Sequence, residues 1–382
     1  MFLAAAKRIS ATLLVRSSTH AALAFCLPCQ TLSPSAFLPA HQQQQQQQSP
    51  TSAATATRTG AVHSNRGSEA TLRRYSSSMS SMSAAVGSSE VVPAGSKCMV
   101  AACQILCGED KAVNTAAAEK AVAEAAAAGA QVVVLPECWN SPYDTASFPV
   151  YAEPVPEPGE AMTESCKEKS PSTAMLCRAA AENGVYLVGG SVPESGKDGE
   201  VYNTCVVVDP SGKILAKHRK VHLFDIDVPG GITFKESDTL SPGNSITTVD
   251  TPFGKIGVGI CYDIRFPELS MAMRAAGSVL LCFPGAFNMT TGPAHWELLQ
   301  RARALDNQCY VVTASPARNP ESKYKAWGHS SIVDPWGTVT ATTGHESAMV
   351  LAEIDLGRVT DIRKSIPVSL QKRSDLYRLE LS

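Results

Sequence analysis

Three polar side chains in this chain each stand at the end of an apolar run that reads as a strand. Glu137 closes "QVVVLPE", Lys220 closes "ILAKHRK" and Cys261 closes "KIGVGIC". Strand ends in α/β sheets are where binding clefts form. A carboxylate, an amine and a thiol gathered there could perform acyl transfer. The thiol would attack a carbonyl, the carboxylate would move protons and the ammonium would stabilise the oxyanion. Each residue also has a plainer reading. A Glu or Lys after a strand is usually solvated, and a Cys at a strand end usually packs in the core. At Cys261 the context adds weight, because "GVGICYDIRFPEL" passes from strand into helix, and the positive end of a helix favours a thiolate.

The elements that would position these residues begin at Lys97. "CMVAACQIL" reads as a strand, and "EDKAVNTAAAEKAVAEAAAAGA" as a helix that Gly129 ends. "QVVVLPE" and "VYLVGGSV" read as strands around the helix "STAMLCRAAAEN". Three hairpins are expected, turning at "DPSG", "TPFG" and "DPWG". The helices "FPELSMAMRAAG" and "AHWELLQRARALDN" alternate with the strands "VLLCFPG" and "CYVVTASP", and "AMVLAEIDL" precedes a closing helix. Solid apolar strands need cover on both faces, while hairpins pair antiparallel. The pattern therefore predicts one α/β domain over residues 95–382, with mixed sheets and helices outside.

Composition narrows the function. Of the 382 residues, 44% are hydrophobic and 18% charged, as in a globular protein. Residues 1–89 hold seven Lys/Arg and one acid, Glu69, so the net charge of −2 leaves −8 on the remainder. An acidic body argues against nucleic acid as a partner, and no run of 18 apolar residues suggests a membrane span. Neither nucleotide-binding glycine motif occurs, so a nucleotide cofactor is not expected. The twelve cysteines have no regular spacing in the body, which fits a reducing compartment better than a disulfide framework. "CLPC" at Cys26–Cys29 lacks a strand–helix context for redox chemistry, and no His/Cys pair has zinc-ligand spacing, so no metal is implied.

Residues 1–94 read as a leader and linker: acid-poor, basic and hydroxyl-rich, with a glutamine tract and a Ser-rich stretch. "RRYSS" matches a mitochondrial processing pattern, with Arg73 three residues before a cut between Tyr75 and Ser76. A mitochondrial address is expected, with plastid and cytoplasmic locations as alternatives.

From Lys97 to the C-terminus, "LPECWNSPY", "KHRKVHLFDIDVPGGITFKES", "GICYDIRFPEL", "PGAFNMTTGPAHWELLQRARALDNQCYV" and "AWGHSSIVDPWG" together resemble the nitrilase, or carbon–nitrogen hydrolase, superfamily. "KVHLFDIDVPGGITFKES", "TTGPAHWELLQRARA" and "PVSLQKRSDLY" resemble its omega-amidase branch, which hydrolyses the terminal amide of 2-oxoglutaramate and 2-oxosuccinamate. The resemblance implies a four-layer αββα sandwich, paired as an αββα–αββα homodimer. It implies Glu137 as proton acceptor, Lys220 as oxyanion stabiliser and Cys261 as nucleophile. Glu236 matches an auxiliary family glutamate, with a structural carboxylate as the competing reading. No metal or organic cofactor is implied, and the partners implied are small 2-oxo acid amides.

Such a substrate carries a carboxylate at its far end, which needs a cation or several donors. Tyr143, Tyr262, Arg265, Asn288 and Thr290 flank the expected cleft. For Arg265 the favoured expectation is a scaffolding pair with Asp263 or Glu268, and His295 and Trp296 are expected to pack within a structural helix. The alternatives are a sister amidase (for a deaminated peptide, a carbamoyl group or simple aliphatic amides), a true nitrilase, or a non-catalytic scaffold that has no use for the three polar residues.

Overall fold

Alternation along the apolar strands decides which side of each sheet meets helices and which meets the other sheet. The structure, a computed structural model, describes residues 97–380; the expected leader and its Cys26–Cys29 pair lie outside them. In the first sheet β1 (Lys97–Gln104), β2 (Val132–Val134) and β3 (Tyr186–Val188) run parallel. β4 (Val192–Ser195) follows β3 along one edge of β5 (Val201–Val208), and β6 (Ile214–Arg219) pairs with the opposite edge. A small hairpin, β7 (Asp225–Asp227) and β8 (Thr233–Lys235), stands apart as a two-stranded sheet. The second sheet is built from β9 (Thr247–Thr251), β10 (Gly254–Val258), β11 (Ser278–Pro284), β12 (Tyr310–Ala314), β13 (Ser331–Val333) and β14 (Val339–Thr342), in the order β14-β13-β12-β11-β10-β9. The last strand, β15 (Ala348–Asp355), returns to the first sheet and pairs antiparallel with β1 along its whole length.

Along β1, Cys98, Val100 and Ala102 share a core with Val258, Leu280 and Val311 of the second sheet, while Ala101 and Cys103 face the other way. The same alternation places Cys205 and Val207 of β5 inward and Val206 and Val208 outward. The outward face meets α1 (Lys111–Ala127) and α4 (Pro171–Asn183) through Val122, Ala125, Met175 and Leu176. α1 starts where Asp110 caps the amides of Ala112 and Val113. The buried stripe Ala118, Val122, Ala125 is small enough to let this helix lie close on the sheet. α5 (Pro267–Ala275) and α6 (Gly292–Asn307) pack on β10, β11 and β12 of the second sheet. The layers are therefore helix, sheet, sheet, helix. Each fully buried Val or Leu contributes about 1.5–3 kcal/mol, and these strands supply nearly half of the buried apolar side chains.

Three features depart from the sequence reading. "VYLVGGSV" is not one strand: Gly190, at φ +67°, breaks it into β3 and β4. A Cβ at Gly190 would lie 2.2 Å from the Pro136 carbonyl oxygen, so only glycine allows this loop to clamp the segment carrying Glu137. The β7–β8 hairpin and the short helices α2 (Phe148–Tyr151) and α3 (Glu164–Lys169) were not expected. The closing helix was expected, and is α7 (Leu356–Ser365). Ten described cysteines are all free thiols.

Candidate active site

Facing sheets bring the ends of their strands together, and five segments deliver four side chains and one backbone amide to one buried point. Glu137 follows β2, Lys220 follows β6, Glu236 follows β8, Cys261 follows β10 and Ala286 follows β11. Glu137, Lys220 and Glu236 are fully buried, and Cys261 is 3% exposed. The Lys220 ammonium donates to Glu137 Oε1 at 3.0 Å and lies 2.9 and 2.8 Å from the two Glu236 oxygens. The solvated readings of Glu137 and Lys220 are thereby excluded.

Glu137 is held on every side. Its Oε1 also accepts from Asn203 Nδ2 at 2.9 Å and from the Tyr143 hydroxyl at 3.3 Å, and its Oε2 accepts the Ala286 N–H at 2.8 Å. Burial raises its carboxyl above the ordinary range; Lys220 opposes that rise and the second carboxylate, Glu236, adds to it. Burial alone would lower the Lys220 ammonium, but the two carboxylates outweigh it and hold the amine well above its usual value. The Cys261 thiol is pushed well up by burial and by the Glu137 charge. The nearby Lys220 ammonium opposes that rise. A thiol held up in this way needs a base to take its proton before its sulfur could act as a nucleophile.

Cys261 itself sits at φ +46°, a left-handed conformation rare for a residue with a Cβ and costing on the order of 1–3 kcal/mol. Its surroundings hold it there. Arg303 of α6 donates to the carbonyls of Ile264 at 2.8 Å and Arg265 at 3.0 Å. Gly285 lets the end of β11 close in, since a Cβ there would lie 3.2 Å from Cys261 Cα and 2.9 Å from the Trp296 ring. The expected helix N-terminus at the thiol is only a single 3-10 turn, Cys261–Arg265; α5 begins at Pro267, whose fixed φ suits a first helical position.

The expected substrate residues divide. Tyr143 joins the reacting groups directly, donating to Glu236 Oε1 at 2.9 Å, and with Glu137, Ala286 and Tyr324 it lines a cavity of about 100 Å³. The Arg265 guanidinium lies over Phe287, 4.7 Å from the ring centre, and 5.4 Å from that of Tyr262. It is not tied to Asp263 or Glu268 as expected: Nη1 meets His295 Nδ1 at 3.2 Å and Nε is buried without a partner. Asp263 is unavailable to it, being filled by His218, His222 and the Ile260 N–H. His295 is accordingly exposed, whereas Trp296 packs as expected, with its indole N–H on the His329 carbonyl. Asn288 Oδ1 accepts the N–H groups of Thr290 and Thr291 before α6, and its Nδ2 is buried without a partner. Thr290 is exposed and reaches none of the reacting groups.

Sequence reasoning missed Asn203, Tyr324 and Ala286. Asn203 carried a usable signal, a polar residue inside the apolar run "VYNTCVVV" of β5. The backbone amide of Ala286 carried none. Among the described residues no group of three His, Cys, Asp or Glu is placed to hold a metal ion, and no helix is long and apolar enough to cross a membrane.

Residues 99–364 match the carbon–nitrogen hydrolase family. The chain is similar to omega-amidase NIT2-A of Xenopus laevis, 57% identical over 277 residues that span 72% of this chain and 95% of that one. It is 52% identical to the chloroplastic omega-amidase of Arabidopsis thaliana over 318 residues, 82% of this chain and 84% of the relative. Among solved structures, Nit3 of Saccharomyces cerevisiae, a member of branch 10 of the nitrilase superfamily, superposes with a TM-score of 0.65 at 42% identity, covering 72% of this chain and 97% of the other.

Proposed function

The chain belongs to the carbon–nitrogen hydrolase family, and on that premise we propose that it works as an omega-amidase through a thioester on Cys261. The observation that carries this reading is the buried contact of Glu137 and Lys220 beside the Cys261 thiol. Glu137 takes the thiol proton as the sulfur attacks the amide carbon. The oxyanion is met by the Lys220 ammonium and the Tyr262 N–H, each worth a few kcal/mol. Glu137 then protonates the leaving nitrogen, the C–N bond breaks and ammonia departs. In the second half, Glu137 draws a proton from water and the resulting hydroxide oxygen attacks the thioester carbonyl. As the C–S bond breaks, Glu137 gives that proton to the departing sulfur, returning Cys261 as a thiol and itself as a carboxylate. One carboxylate serves both halves, and a pKa raised by burial suits it to give as well as take. Glu236 acts on the lysine, holding it charged and in place.

The substrate class is a short ω-amide with a distal carboxylate, such as 2-oxoglutaramate or 2-oxosuccinamate. The relatives named omega-amidase support it, as does Arg265, whose buried Nε is a donor without a partner. The test is ammonia release over a panel of 2-oxoglutaramate, succinamate, butyramide and an aliphatic nitrile. Rapid release from the first two is expected. Release from butyramide at an equal rate, or turnover of the nitrile alone, would defeat the reading.

Two lesser proposals accompany it. Exposed Leu298 and Leu305 of α6 and the exposed Trp336 support a homodimer through this face, to be tested by solution mass. The acid-poor residues 1–94 and the chloroplastic relative support an organelle address, which we place in mitochondria. A fluorescent fusion of residues 1–95 that enters plastids or stays cytosolic would sink the mitochondrial assignment.

A further inference from the structure

Asp263 lies two residues beyond Cys261, fully buried, and no step described above uses it. Its carboxylate meets four donors. Oδ1 accepts the His222 backbone N–H at 2.9 Å and lies 2.8 Å from His222 Nδ1. Oδ2 accepts the Ile260 N–H at 2.9 Å and lies 3.2 Å from His218 Nε2. The places of these donors in the chain carry the argument. His218 and His222 stand two residues either side of Lys220, and Ile260 immediately precedes Cys261. His218 is anchored in turn, with Nδ1 2.9 Å from the Thr247 hydroxyl on β9. His222 stacks on Phe266 at 3.6 Å and 9°, which fixes the ring against the far end of the Cys261–Arg265 turn.

One carboxylate thus joins the end of β6, in the first sheet, to the turn that follows β10, in the second. We propose that Asp263 is a positioning residue that sets the Lys220 ammonium and the Cys261 sulfur in register across the two sheets. With its acceptor sites filled and no exposed surface, it does not contact substrate. A displacement of about 1 Å between a nucleophile and its partners costs roughly a hundredfold in rate. The tie therefore controls turnover more than substrate binding. The inference rests on the reading that Cys261 attacks and Lys220 receives the oxyanion.

The experiment uses the full chain with His222→Ala, His222→Asn and Asp263→Asn. His222 is half-buried, so its variants are expected to fold. The readouts are kcat and KM on the best ω-amide, and the rate at which iodoacetamide alkylates Cys261, followed by mass. His222→Ala is expected to lower kcat about five- to two-hundred-fold, as for one lost buried hydrogen bond, with KM within a few-fold and slower alkylation. His222→Asn, which can again offer an N–H to Oδ1, should recover most of that loss. Asp263→Asn cannot accept from all four donors and should lose at least as much; if it fails to fold, the His222 pair decides. Unchanged kcat and alkylation in His222→Ala, or a loss that His222→Asn does not repair, would overturn the proposal. If the wild type released no ammonia from any amide while the variants still differed in alkylation as expected, the omega-amidase reading would fail and the tie would stand.

Discussion

The Lys220 ammonium lies 2.8 Å from Glu236 Oε2, and both residues are fully buried. With Glu137 ionised as well, this pocket holds two negative charges and one positive, and Glu236 raises the Glu137 carboxyl by simple repulsion. Glu236→Gln removes that repulsion, so the Glu137 pKa should fall. Because the carboxylate is the active form, the acid limb of kcat/KM should move to lower pH. At the same time kcat should drop about tenfold to a hundredfold as the lysine loses its second charged partner. The measurement is kcat/KM from pH 4 to 9. A limb that stays in place would show that Glu236 does not couple to the base.

Removing the cation has the opposite electrostatic sign. Lys220→Met leaves Glu137 and Glu236 buried without their positive partner, and breaking a buried pair in this way costs roughly 3–5 kcal/mol. Lys220 is what opposes the rise of Glu137, so its loss raises that folded-state pKa further above the unfolded value. Such a group contributes stability below its unfolded pKa and loses it as pH rises through the folded pKa. The Tm deficit of Lys220→Met should therefore be large at pH 8 and shrink toward pH 4. A deficit independent of pH would contradict this arrangement of charges.

Two cysteines stand beside Glu137: Cys261 across the site, and Cys138 next along the chain, which lines the same cavity. Cys261 stands at the end of β10 facing the carboxylate and the Lys220 ammonium, whereas Cys138 meets the Ser191 hydroxyl at 4.0 Å. Cys261→Ser should keep the fold and lose nearly all turnover. Wild type quenched with substrate should carry its acyl group on Cys261. An adduct on Cys138 would reassign the nucleophile.

Glu137, Lys220 and Cys261 were legible because each follows an apolar run whose end a parallel or mixed sheet must expose to a cleft. The strands, hairpin turns and long helices were legible for the same reason, through periodicity and turn residues. What stayed hidden depends on partners far apart in the chain. Arg265 was expected to pair with Asp263 because the two are close in sequence, but two histidines some 40 residues earlier already occupy that carboxylate. The β7–β8 hairpin has strands of three residues, too short to show a period. The left-handed Cys261 is imposed by its neighbours, since no local rule favours a positive φ at cysteine.

Tyr143 touches both carboxylates through one hydroxyl. Donation to an ionised carboxylate favours the ionised form. Tyr143→Phe should therefore shift the acid limb of kcat/KM to higher pH, opposite to Glu236→Gln, and lower kcat about fivefold or more. A substrate-binding role alone would instead raise KM and leave the limb where it was.

The proposed carboxylate site makes Arg265 the first residue to test for specificity. Its guanidinium is flanked by Phe287 and Tyr262, its Nη1 is shared with an exposed histidine and its buried Nε has no partner. A distal carboxylate would give that donor an acceptor, while the near-attack geometry asks that the amide carbon lie about 3–3.5 Å from the Cys261 sulfur. Butyramide leaves the donor unpaired, at a cost of roughly 1–3 kcal/mol, which is about five- to two-hundred-fold in kcat/KM. Succinamate should therefore be hydrolysed faster than butyramide by that factor. Arg265→Met should bring the two rates together, mainly by slowing succinamate. Arg265→Lys should restore only part of the preference, since an ammonium cannot offer the planar fork of donors. Equal rates for the two amides in the wild type would remove the carboxylate site and leave a general aliphatic amidase. A preference that survived Arg265→Met would move the site to other donors, with the buried Nδ2 of Asn288 the next to substitute.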